Sequence, residues 1–147
     1  MKKKTNNIAV IPARKGSVGF KDKNLIFFNL TANFVKNLKI FNKIITSSND
    51  IRIIQKAKKF NFITHRRKKK YSGPKVSIRT TLLNIVSEMQ LKKNDVVWLF
   101  YIPLLYRKKS DFLKIKKFTS KKNFKSLCTF KKTKNQDHPY YCWGYNQ

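Results

Sequence analysis

Short apolar runs of strand length recur along this chain, and most are followed by a breaker or by capping residues and helical spacing. The first is residues 8–11, IAVI, ended by Pro12, which has no N–H to give to a ladder. Residues 43–47 give a second strand signal. Side-chain oxygens over 47–50 can then cap a helix in which Ile51, Ile54 and Ala57 share a face. Residues 62–64 read as a short third strand. Gly73-Pro74 breaks the chain, after which Ile78, Leu82, Ile85, Val86 and Met89 make an amphipathic stripe. Residues 95–102, DVVWLFYI, form a continuous apolar run closed by Pro103, which suits a strand buried on both faces of a parallel sheet. A helix over 111–118 and a strand over 126–130 complete the pattern. This alternation predicts an α/β sandwich with a mainly parallel sheet and right-handed crossovers. No repeat or linker interrupts it, so residues 1–147 are expected to form one domain.

Ligands of such sheets bind beyond the carboxyl ends of the strands, where residues 12–24 are expected to lie. Gly16 and Gly19 let the backbone turn with positive φ and bring its amides near a ligand. Successive N–H groups in such a turn cradle phosphate oxygens, and Arg14 and Lys23 add full charges. A plain basic loop between strand and helix is the competing reading. Two common phosphate loops are excluded. Gly19 is followed by Phe20 rather than Lys-Ser/Thr, and Gly16 and Gly19 supply only two glycines at the wrong spacing for a dinucleotide fingerprint.

The segment resembles the opening of the acylneuraminate cytidylyltransferases, the CMP-sialic acid synthetase family, whose first strand enters a loop of the form (I/L)-(P/L)-A-R-x-x-S-K-G-x-x-x-K-N. Pro12, Ala13, Arg14, Ser17, Gly19, Lys23 and Asn24 stand in register, with Val18 where the family usually has Lys. Asn24 favours this branch over the related Kdo enzymes, which usually carry Pro there. Later segments are similar in order. Residues 46–50, TSSND, resemble a strand-ending S-T-D. Arg66-Arg67 with Ser72 and Ser77 resembles R-P-x-x-x-(S/A)-x-D-x-x-S, with Pro74 near the expected Asp. Pro103, Arg107 and Asp111 resemble the P-T-S-P-L-R-x-x-x-D segment, and 126–139 the S-V-V-S...H-H-P stretch, with Asp137 for the first His.

The resemblance spans residues 8–143 but only the first two-thirds of a typical family member, so the chain is expected to be C-terminally truncated relative to the family. It implies a Rossmann-like three-layer sandwich of the nucleotide-diphospho-sugar transferase type. It also implies an enzyme that transfers CMP from CTP to a nine-carbon, sialic-acid-like sugar acid and releases pyrophosphate. Arg14 and Lys23 would then act in catalysis. Ala13, Arg14, Ser17, Gly19, Lys23, Asn24, Arg67 (or Arg66, if the register slips by one) and Ser77 would form the nucleotide pocket. For Ser77 the alternative is a simple helix cap, and Arg67 belongs to a basic run that could be solvated. Mg²⁺ is implied as cofactor, but its family ligands and the family's dimerisation segment lie beyond Gln147, and no metal ligands are assigned in this chain. A homodimer is left open.

Of 147 residues 35 are basic and 6 acidic, a net charge of +29. The basic residues are dispersed, which suits a solvated surface that attracts polyanions weakly and in a salt-dependent way. Among the acids, Asp22 and Asp50 are expected near strand ends, and Glu88 on a solvated helix face. His65 and His138 stand isolated, and Cys128 and Cys142 lack the spacing of a zinc site or a disulfide framework. No apolar run is long enough to span a bilayer, and residues 8–13 are too short for the core of a signal peptide, so a soluble cytoplasmic protein with no membrane partner is expected. Two further readings stay open: a catalytically silent nucleotide-binding relative, and a basic RNA-binding module that stacks bases on Tyr140, Tyr141 and Trp143.

Overall fold

The computed structural model describes residues 5–16, 20–121 and 126–127. In chain order the elements are β1 (Asn7–Pro12), α1 (Lys23–Leu38), β2 (Lys43–Ser48), α2 (Ile51–Lys59), β3 (Ile63–Arg66), a 3-10 turn at Lys69–Tyr71, α3 (Ile78–Glu88), β4 (Val96–Leu99) and α4 (Lys109–Lys121). The chain divides into two compact units, Met1–Phe112 and Leu113–Gln147. In the second, Thr119 and Ser120 donate their hydroxyls to the Lys116 carbonyl one turn back.

The first unit holds one four-stranded sheet in the order β3-β2-β1-β4, with all pairs parallel. β1 is central, and Ile8, Ala9, Val10 and Ile11 are completely buried. Because side chains alternate along a strand, β1 feeds two cores. Ala9 and Ile11 join Phe28, Ala32 and Val35 of α1 and Ile53 and Ala57 of α2. Ile8 and Val10 join Ile45 of β2 and Ile85 of α3 on the opposite face. The result is a Rossmann-like three-layer α/β fold.

Pro12 is the last residue of β1, opposite Ser47, yet the Ala13 N–H still reaches the Ser47 carbonyl at 2.9 Å. Pairing therefore runs one residue past the proline. α1 buries Phe28, Thr31, Ala32, Val35 and Leu38 and is the long element that the strand signals leave unassigned. In α2 the buried stripe is Ile53, Ile54 and Ala57, and Ile51 is exposed rather than on the core face. Ile51 opens the helix just after its Asp50 cap, so Ile53 and Ala57, one turn apart, face the sheet instead.

The expectation of a strand buried on both faces at 95–102 is overturned. Only Val96–Leu99 pair, β4 is an edge among the described strands, and Val96 is exposed while the next three are half-buried. Phe100 and Ile102, beyond the strand, carry the burial. Ser126 and Leu127 form no strand, and the rest of that expected element lies outside the described residues. No described helix is long and apolar enough to cross a membrane.

Candidate functional site

The chain runs β1 to β2 to β3 in one direction and then returns to place β4 on the other side of β1. Consecutive crossovers therefore diverge between β1 and β4, with α1 on one face and α3 on the other. A crevice at the carboxyl ends of the strands is expected at such a switch point. A cleft of about 220 Å³ opens there. Arg14, Lys23, Asn24, Arg67 and Thr81 give it its polar groups, and Tyr101 and Pro103 from the segment after β4 form a less polar wall. Pro12, Val76 and Ile78 complete it.

Each polar group arrives by a different route. Arg14 follows β1, and its Nη1 donates to the Gly16 carbonyl at 2.9 Å, which ties the loop into a compact turn. Gly16 takes a φ of 71°, which favours glycine over residues with a Cβ. Asn24, in the first turn of α1, donates Nδ2–H to the Arg14 carbonyl at 2.8 Å and so pins the loop to the helix. Lys15 N–H is held by Asn49 Oδ1 at 2.7 Å. The amino end of α1 meets the cleft at Lys23 and Asn24, and the macrodipole there adds partial positive charge.

Arg67 is the most constrained of the set. It is 6 % exposed, and its N–H pairs with the Ser48 carbonyl just beyond β3. Its Nε–H donates to Ser47 Oγ and its Nη2–H to the Ser47 carbonyl, both at 3.1 Å. No carboxylate among the described residues pairs with it. Burial, and then the charge of Arg14, push its pKa down to about 10. Two guanidinium groups thus repel one another beside a cleft without a described acid, and a bound anion would relieve both. Tyr101 is pushed up by burial.

Other sequence-selected residues fall elsewhere. Ala13 is completely buried; its N–H goes to the Ser47 carbonyl and its carbonyl accepts from Ser48 Oγ, so both polar groups serve the β1–β2 junction. Ser77 Oγ caps α3 by accepting from Thr80 N–H at 3.0 Å and does not line the cleft. Arg107 donates to the Tyr101 carbonyl and to Thr31 Oγ1, and sits over the Phe34 ring. Ser17, Gly19, Cys128, Asp137, His138, Tyr140, Tyr141, Cys142 and Trp143 lie outside the described residues. Thr81 and Tyr101 line the cleft without having been singled out as binding residues. Their only sequence signal is position, one on the helix before β4 and one in the segment after it.

Two expectations about single residues change. Glu88 is not on a freely solvated face. Its carboxylate holds His65 and Lys68, each at 3.0 Å, and hydrogen bonds from Lys68 and Asn84 push its pKa down to about 2. His65 is not isolated: it is 1 % exposed and lies between Ser47 and Glu88. The helix register that puts Glu88 at the end of α3 turns it toward β3.

Asp22 and Asp50, the acids nearest the loop, are both engaged by Arg52 Nη2, at 3.0 and 2.7 Å. No three acidic, histidine or cysteine side chains among the described residues group as a metal site. This donor set does not fit the Mg²⁺ that the resemblance implies. A second hollow, about 330 Å³, opens at the amino ends of β2 and β3, lined by Phe41, Phe60 and Phe62 with Lys36 and Lys43. It lacks the convergence of loop, helix end and buried cation that marks the first.

The chain matches no model of a known protein family, and no curated protein sequence matches it.

Proposed function

We propose that the cleft binds the phosphate groups of a cytidine nucleotide, and that the chain is a nucleotidyltransferase domain of the acylneuraminate cytidylyltransferase kind. It would transfer CMP from CTP to a sialic-acid-like sugar acid and release pyrophosphate. The observation that carries the phosphate part is Arg67, a buried guanidinium with no described acid beside it, facing the same cleft as Arg14 and Lys23. Cytidine and the sugar acid come from the resemblance of residues 8–24 and the later segments.

In that reaction the sugar's anomeric oxygen attacks the α-phosphorus, the bond to the pyrophosphate oxygen breaks, and the hydroxyl proton leaves to solvent. Catalysis of such a transfer is alignment plus stabilisation of charge on the phosphate oxygens. Arg14 and Lys23 would supply that stabilisation at the cleft mouth, and Arg67 at its floor. Asn24 acts on the loop, since its amide holds the Arg14 carbonyl. A nucleotide-binding relative without catalysis is the second reading, favoured by the engagement of both nearby carboxylates with Arg52.

Calorimetry with CTP, ATP and a short RNA at two salt concentrations tests the binding claim. CTP binding that is selective and lost in Arg14→Ala supports it. RNA binding that is equal in both proteins and falls steeply with salt overturns it. Pyrophosphate release on adding nine-carbon sugar acids then divides the enzyme from the silent relative.

A further inference from the structure

Behind Arg67 a chain of hydrogen bonds leads away from the cleft. Arg67 Nε–H donates to Ser47 Oγ at 3.1 Å, Ser47 Oγ lies 2.9 Å from His65 Nδ1, and His65 Nε2 lies 3.0 Å from Glu88 Oε2. The other Glu88 oxygen accepts from Lys68 Nζ at 3.0 Å and Asn84 Nδ2 at 3.1 Å. A carboxylate can only accept, so the hydrogen between His65 and Glu88 sits on Nε2. In the neutral ring Nδ1 is then an acceptor. Ser47 donates to it and keeps its lone pairs for Arg67. Every link has one consistent direction. Ser47 is completely buried, so this Ser-His-Glu set is not a nucleophile and base for a substrate.

We propose that Ser47, His65 and Glu88 are positioning residues for Arg67, and that an anion entering the cleft is taken up together with a proton on His65. The inference rests on the reading of the cleft as a phosphate site. The groups facing His65 are Ser47 from β2, Arg67 from the segment after β3, and Glu88 and Asn84 from α3. Lys68 acts through Glu88. Burial holds His65 below its ordinary value, Glu88 pulls it up, and Arg67 pushes it down. An anion beside Arg67 cancels part of that repulsion, so the imidazolium costs less when the cleft is full. Protonation also makes His65 Nδ1 a donor and forces Ser47 to turn its hydroxyl. That rearrangement is common to the free and filled states and cancels in the difference. The filled protein therefore has the higher His65 pKa, and anion affinity rises as pH falls between the two midpoints.

Imidazole titration by NMR reads this directly, because the chain has two histidines and a His138→Gln variant leaves only the signal of His65. The free protein should show the Nε2–H form. Saturating inorganic pyrophosphate should move the midpoint up by roughly 0.5 to 1, equivalent to about three- to tenfold tighter binding by the protonated protein. Sulfate, whose charge is constant over the range, should move it in the same direction. Glu88→Gln should lower the midpoint and weaken pyrophosphate binding while circular dichroism remains that of the wild type. An unmoved midpoint at saturation, or the Nδ1–H form, overturns the coupling and leaves the cleft reading standing. Unchanged pyrophosphate affinity in a folded Glu88→Gln variant overturns the positioning role. Failure of the wild type to bind pyrophosphate overturns the cleft reading, and this inference with it.

Discussion

Arg52 and Arg67 both stand beyond the carboxyl ends of the strands, in opposite surroundings. Arg52 Nη2 bridges Asp22 and Asp50, whose hydrogen bonds raise its pKa, and Asp50 also caps α2 by accepting from the Arg52 N–H. Arg67 is more deeply buried, faces Arg14, and holds no described carboxylate; its pKa falls. A chain with 6 acids among 147 residues must place them sparingly. Two go to the Arg52 corner, and Glu88 to His65 and Lys68. A cation saturated by its own protein is structural, whereas one buried without an acid is poised for an anion from outside.

The contrast predicts opposite outcomes for the two regions. The largest effect is expected at the cleft. Arg67→Met should weaken pyrophosphate or CTP binding by about 100-fold, the loss of a charge-assisted hydrogen bond in a desolvated site. Its stability in urea should match or exceed the wild type, because an unpaired buried charge has been replaced by apolar volume. Calorimetry paired with urea unfolding checks both halves, and a large loss of stability without loss of binding would reverse the assignment.

Asp50→Ala should do the converse. Loss of the cap and of the Arg52 partner should destabilise by about 2 kcal/mol, with anion affinity retained. Acid sharpens the comparison further. Arg52 holds the Asp50 carboxyl below its ordinary value, so its contribution is complete above the unfolded-state pKa and is lost as pH falls through the folded one. The stability gap between wild type and Asp50→Ala should therefore narrow below about pH 4, a range that urea midpoints can follow. Smallest is Ser77→Ala. Removing the α3 cap should cost about 1 kcal/mol and leave anion binding unchanged, since the Ser77 hydroxyl is committed to Thr80.

Much of the frame could be read locally. Residues 8–11 announce the central strand because all four are apolar, and Asp50 sits where a cap for α2 is needed. α1 was less legible. Its face of Phe28, Ala32 and Val35 has helical spacing, but Asn24, Asn29, Asn33 and Asn37 and three phenylalanines carry middling helix propensity. The apolar run at 95–102 looked like an interior strand because hydrophobicity cannot tell a buried edge approach from a strand with neighbours on both sides. In the cleft, Arg14, Lys23 and Asn24 belong to one stretch of sequence and could be chosen together. Arg67 stood out only through the resemblance, since it looks like any other member of a basic run.

Periodicity, breakers and the loop after β1 thus determined the α/β class and the end of the sheet at which polar chemistry gathers, because those signals act within a few residues. The partners of the charges came only with the tertiary structure. Ser47 and His65 are 18 residues apart, His65 and Glu88 23, and each contact depends on the pairing of β2 with β3 and on the face that α3 covers. Whether an arginine meets two carboxylates or none is a property of where strand ends and helices converge, and no local pattern encodes it.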